Sequence, residues 1–202
     1  MSKVQHTHFG QRLMPGHRNM PGAFTGRSSR NYDRVARWLL PRAYRRLATD
    51  VAVVASEGGR VLDVGTGPGI LPRELLRRRP DLTVIGVDLS ADMIAAATRN
   101  LAPFGARAGA VIGDVTDLPF PDDSFDLVVT SLSLHHWDRV DAAAPELARV
   151  LRPGGRILVY DLSFSPFDEL TEASRSVFTS STRSAVRVGI PFLRWERLTL
   201  TG

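Results

Sequence analysis

The chain has 202 residues, 43% of them apolar and 23% charged, which is enough for the core of one ordinary globular domain. It has no cysteine, which excludes disulfides and thiolate metal sites, and no apolar run approaches the ~18 residues a membrane span needs. The net charge of +5 is carried almost wholly by arginine, with Lys3 the only lysine, so charge alone does not name a phosphate-rich partner.

Residues 1–30 are rich in Gly, Pro, His, Ser and Arg without apolar periodicity and are expected to form a flexible tail. His6, His8 and His17 lie in it and supply no ligand constellation, so no metal is expected. No apolar stretch follows Lys3, so no secretory signal is expected and a cytoplasmic location is. Residues 31–57 read as a helical lid or cap, with a helical pattern from Asp33 to Ala55 that Pro41 should split or kink. Tyr32 and Trp38 are its lid candidates.

The remaining residues, 58–202, read as one domain of alternating units. Strands are expected at 60–64, 83–88, 108–114, 125–134 and 156–162. Helices are expected at 70–79 and after Ser90, which can cap the second of them. A further helix should lead to "LRPGG" (151–155), a helix stop and turn, with Pro145 starting or kinking it. Short apolar strands alternating with helices mean an α/β fold, a doubly wound and mainly parallel sheet with helices on both faces. After it, a helix is expected over 166–180 and strands at 185–190 and 194–200. That tail makes either a tight final hairpin or a sheet lacking its last strand, and in the second case a homodimer could cover the exposed edge.

A doubly wound sheet binds its ligand outside the carboxyl ends of its strands. There the sequence places Asp63, Asp88, Asp114, then Ser131, Ser133, His135 and His136, then Tyr160 and Asp161. The first strand runs into Gly65-Thr66-Gly67-Pro68-Gly69. A dinucleotide fingerprint would need glycine where Ile70 stands. A pyrophosphate would also be repelled by so many carboxylates, whereas a cation bearing an amine and a ribose would not.

These blocks, "VLDVGTGPG" (61–69), "VIGVDLSADMIAAA" (84–97), "GDVTDLPFPDDSFDLVVTSLSLHHW" (113–137) and "ELARVLRPGGRILVYD" (146–161), resemble the class I S-adenosylmethionine-dependent methyltransferases of the ubiquinone and menaquinone biosynthesis type. The resemblance implies methyl transfer from S-adenosylmethionine to a small-molecule O, N or C acceptor, and a seven-stranded sheet. It implies that Gly65, Thr66 and Gly67 let the methionine part lie against the backbone, with Asp63 near its ammonium. Asp88 would accept from both ribose hydroxyls, and Leu89 and Met93 would pack on the adenine. Asp114 and the Val115 amide would face the adenine amino group, and Ser131 would close the site. His135 and His136 lie where an acceptor approaches and are the candidates for a general base, with Tyr160 and Asp161 behind them. No N-P-P-Y-like stretch follows the fourth strand, which argues against nucleic acid as acceptor. A non-catalytic cofactor-binding partner protein and an RNA methyltransferase remain the alternatives.

Overall fold

The computed structural model describes residues 27–190 and 193–202, with side chains from residue 40 onward apart from the same gap. Every strand among the described residues lies in the compact unit Ala36–Gly202. The tail histidines lie outside the described residues, as do the side chains of Tyr32 and Trp38.

In chain order the elements are α1 (Arg27–Val54), β1 (Arg60–Val64), α2 (Ile70–Arg78), β2 (Thr83–Asp88), α3 (Ala91–Leu101), β3 (Ala108–Ile112), β4 (Phe125–Ser131), α4 (Val140–Val150), β5 (Leu151–Leu162), α5 (Phe167–Ser174), β6 (Ser180–Val186) and β7 (Trp195–Thr201). They build one seven-stranded sheet in the order β3-β2-β1-β4-β5-β7-β6. The first five strands are parallel, and β7 runs antiparallel between β5 and β6. Chain order reverses between β1 and β4, which is where such a sheet opens a crevice.

Side chains alternate across each strand, so the sheet has two cores. Val61, Val84, Val129 and Leu158 face one, with Leu47, Val51, Leu75 and Leu101 from α1, α2 and α3. Leu62, Val64, Val128 and Val159 face the other, with Leu147, Val150 and Leu170 from α4 and α5. No described helix is long and apolar enough to cross a membrane.

Several expectations are corrected. Pro41 does not split the helix, because Ala43, Leu47, Ala48 and Val51 are fully buried beyond it and hold one helix through the break. Pro145 lies inside α4 and does not start a fresh helix, with Ala143, Ala144 and Leu147 buried around it. The helix stops at Val150 as expected, yet 151–155 belongs to β5 rather than to a separate turn. The pairing shifts from Phe125↔Leu151 to Leu127↔Arg156, so the Pro-Gly-Gly stretch forms an irregularity within the strand. The last hairpin is complete, and its first strand is β6 at Ser180–Val186 rather than 185–190. A sheet edge needs no apolar alternation, so the exposed "SSTRS" carried no strand signal. The missing strand that motivated a homodimer is therefore present.

Arg79 ties the end of α1 to the turn after α2. The last turn of α1 contains no basic residue to satisfy its carbonyls. Arg79, just past α2, donates from Nη1 to the carbonyls of Ala52 (2.7 Å) and Ala55 (3.1 Å). Its Nη2 and Nε are held by Asp81 at 2.7 and 2.8 Å. Arg79→Ala should lower the unfolding free energy by about 1–2 kcal/mol in a urea titration, the worth of one or two such bonds. An unchanged midpoint would show that water satisfies these carbonyls equally well.

Candidate active site

The carboxyl edge of the sheet opens into a cavity of about 590 Å³. Its wall includes Gly65, Thr66 and Gly67 after β1, Asp88, Leu89 and Met93 after β2, Asp114 and Val115 after β3, and Ser131 and His136 after β4. These ten, with Pro68 and Ser133, are residues named from the sequence that share one cavity. Asp63 and His135 do not line it, and neither do Tyr160 and Asp161.

Asp63 lies beneath the glycine loop and is 1% exposed. Its Oδ2 accepts from the Thr66 hydroxyl at 2.7 Å, and its Oδ1 is buried with no partner among the described residues. Burial raises its pKa to about 7, the Thr66 hydrogen bond opposes this, and the nearby Asp88 charge adds to it. Thr66 reaches Asp63 because Gly86, opposite Asp63 in the β1–β2 register, leaves room for its side chain.

The three loop glycines answer three different demands. A Cβ at Gly65 would overlap the Ser133 side chain, so this glycine serves the approach of the segment after β4. At Gly69 a Cβ would stand 3.2 Å from Ala97, against α3. Only at Gly67, with φ +52°, would a Cβ enter open space. Packing within the chain therefore accounts for glycine at 65 and 69, and at Gly67 the positive φ is what favours it. The Gly67 N–H donates to Asp88 Oδ2 (2.8 Å) while the Ser90 N–H donates to Asp88 Oδ1 (2.9 Å). Asp88 therefore shapes the loop as well as facing the cavity.

Leu89 is 72% exposed and Met93 42%, an unusual position for apolar side chains on a cavity wall. A flat apolar group inserted there would cover both. Asp114 Oδ1 is held by the Thr116 N–H and hydroxyl, each at 2.9 Å.

The cavity is also lined by Tyr44, Trp137 and Arg139, none of them singled out by sequence. Tyr44 comes from α1, its hydroxyl hydrogen-bonded to Ser131, and burial beside Asp63 pushes its pKa up to about 12. The only available signal was its helical spacing from the buried Leu47, Ala48 and Val51. Trp137 Nε1–H donates to Ser133 Oγ at 3.0 Å. Tyr160 is fully buried and turned toward α1, where its hydroxyl donates to Asp50 at 2.7 Å, so it has no part in the cavity. His135 is 21% exposed and is held by the fully buried Asp161, with Nδ1 2.9 Å from Oδ1.

Residues 62–159 match the family model described as a methyltransferase domain. The chain carries a methyltransferase domain over just under half of its length, like that of the class I S-adenosylmethionine-dependent enzymes. It is 37% identical over 125 residues to the ubiquinone/menaquinone biosynthesis C-methyltransferase of Geobacter sulfurreducens, covering 60% of this chain and 48% of that one. It is 39% identical over 132 residues to the malonyl-[acyl-carrier protein] O-methyltransferase of Halorhodospira halophila, covering 65% and 44%. The chain thus spans about half the length of the curated relatives it matches. A putative S-adenosylmethionine-dependent methyltransferase from Methanococcus maripaludis shares the fold at a TM-score of 0.68 and 20% identity, over 90% of this chain and 96% of that one. The [4+2]-cyclase SpnF shares it at 0.67 and 21%, over 78% and 80%, so the fold itself does not dictate one chemistry.

Asp63 gives the site a pH signature. Its folded pKa of about 7 lies above the unfolded value of 3.8, so its contribution to stability is full below pH ~3.8 and is lost as pH rises through 7. Asp63→Asn should therefore stabilise the unliganded chain at pH 8 relative to wild type, with the gain shrinking toward pH 5. Urea titrations at both values check this, and a gain independent of pH would contradict the assignment.

Proposed function

We propose that this chain transfers a methyl group from S-adenosylmethionine to a small-molecule O, N or C acceptor. The observation that carries the proposal is the single cavity that joins Gly67, Asp88, Asp114 and the exposed Leu89 and Met93 at the carboxyl edge of a methyltransferase sheet. When bound, the cofactor supplies a methyl group on an already activated sulfonium.

The chain's own residues fit that cofactor. Gly65, Thr66 and Gly67 line the wall where the amino-acid end would lie, above the unpartnered Oδ1 of Asp63. Asp88 keeps one face toward the cavity for a ribose diol. Leu89 and Met93 would sandwich the adenine, Asp114 and the Val115 amide would bond its edge, and Ser131 would close the floor. Tyr44 brings α1 onto the cavity, which supports the reading of residues 31–57 as a cap.

The protein's remaining task is to hold an acceptor in line with the methyl group, where orientation supplies much of the acceleration. His136 on the wall, with His135 beside it, is the candidate catalytic pair for an acceptor that must lose a proton. The carboxylate-lined cavity and the segment "SLSLHHW" support a small molecule rather than nucleic acid as acceptor. The lack of cysteine supports a cytoplasmic location.

Isothermal calorimetry with S-adenosylhomocysteine tests the reading. Wild type should bind, and Asp88→Ala should weaken binding ~10–100-fold, the loss of a charge-assisted contact worth roughly 1.5–3 kcal/mol. No binding at millimolar ligand would end the proposal. Binding without transfer across a broad acceptor panel would favour a non-catalytic cofactor-binding protein.

A further inference from the structure

Behind the wall that carries His136 lies a group that holding the cofactor does not require. Asp161 is the last-but-one residue of β5, faces the α4 side of the sheet and is fully buried. Its Oδ1 accepts from the Leu162 N–H at 2.8 Å and its Oδ2 from the His135 N–H at 3.2 Å. The His135 ring completes the set, with Nδ1 at 2.9 and 3.0 Å from the two oxygens. A carboxylate has no hydrogen to give, so the proton between the two groups sits on Nδ1. The His135 ring in turn lies against His136, with centroids 4.0 Å apart at 47°. The order is a buried carboxylate, a ring fixed in tautomer and angle, and a second ring on the cavity wall.

We propose that Asp161 is a positioning residue: by fixing His135 it holds the His136 ring on the cavity wall, where His136 accepts a proton from the methyl acceptor. The inference rests on the methyl-transfer reading and deepens it, because it selects among acceptors. A carboxylate is already ionised at neutral pH and needs no base, whereas a weakly acidic hydroxyl does. In the step assigned to His136 the acceptor O–H bond breaks and the proton passes to the imidazole, which becomes imidazolium. The electron pair stays on the acceptor oxygen, which becomes the nucleophile.

The surroundings suit this role. His135 and Asp161 stand behind His136, and Asp138 and Arg139 follow it. Tyr44 from α1, Asp88 after β2 and Asp114 after β3 line the same cavity. Burial and then His135 hold the His136 pKa below the ordinary imidazole value, which keeps the ring neutral and able to accept. Asp161 pulls the other way and would offset the charge once the proton arrives.

The test is side-chain ¹⁵N–¹H NMR of uniformly labelled full-length chain saturated with S-adenosylhomocysteine. His135 should show the Nδ1–H tautomer, and His136 should titrate below pH ~6.5. Asp161→Asn should move the His136 midpoint down and His135→Ala should move it up, each by roughly half a unit, as one partly screened charge would. Loss of the Asp161 charge moves the midpoint whatever its role, so the shift counts only together with a lowered kcat toward a hydroxyl acceptor at unchanged KM in Asp161→Asn; an unchanged kcat overturns the positioning role. The Nε2–H tautomer in His135, or midpoints that stay put or move together, overturns the proposal. If Asp161→Asn does not fold, the wild-type tautomer and His135→Ala decide. Failure of the wild type to bind S-adenosylhomocysteine sinks the methyl-transfer reading instead, and is distinguishable from these shifts.

Discussion

The site depends on one buried carboxylate. Asp63 is the last-but-one residue of β1, shielded from solvent and with one oxygen lacking a partner among the described residues. An isolated buried carboxylate is expensive, and a protein normally pairs it or protonates it. Here the structure does a little of each, with Thr66 on one oxygen and a pKa pushed up to about 7. A core residue chosen for stability would be apolar at this position, as Val61 is on the same face. The acid makes physical sense as the counter-charge for a cation arriving above the loop.

Much of the local architecture follows from that choice. Thr66 must turn back under the loop to reach Asp63, which requires Gly86 on the next strand. The loop must then pass close to Ser133, which requires glycine at 65, and its far end must lie against α3, which requires glycine at 69. Asp88 fixes the apex through the Gly67 N–H. Tyr44, from an element far earlier in the chain, lies near enough to Asp63 to feel its charge and bonds to Ser131. Arg79 secures the end of α1, the helix that brings Tyr44 to the cavity.

The sequence shows the parallel half of the sheet clearly and the rest less so, for reasons that differ by element. β1 and β2 have their expected bounds because both faces of each are packed against helices, and an unbroken apolar run is visible without context. β6 was displaced by several residues because an edge strand of serines and threonine has no burial to announce it. The start of β5 was hidden by Pro153 and two glycines, whose turn chemistry is real but is absorbed by an irregularity in the pairing. The cofactor side of the site was legible because its residues sit at strand ends, where topology gathers them. The acceptor side was only half legible. His135 and Asp161 are 26 positions apart, and no spacing rule pairs them before the β4–β5 register is known. Tyr44 and Arg139 reach the cavity by helix placement and loop path, which periodicity does not specify. Family resemblance filled in the cofactor side because its motifs are local. The placement of Asp63 under the loop, rather than on the cavity wall, emerged only from the packing.

The proton balance of ligand binding probes this organising charge most directly. S-adenosylhomocysteine titrated near pH 6.5 into the chain, by calorimetry in two buffers of different ionisation enthalpy, reports how many protons are exchanged. A cationic ammonium settling above Asp63 should draw it into the charged form, so a substantial fraction of a proton should be released, and Asp63→Asn should abolish that release. Binding with no buffer dependence in the wild type, or an equal release in Asp63→Asn, would contradict the claim that this buried carboxylate is the organising charge of the site.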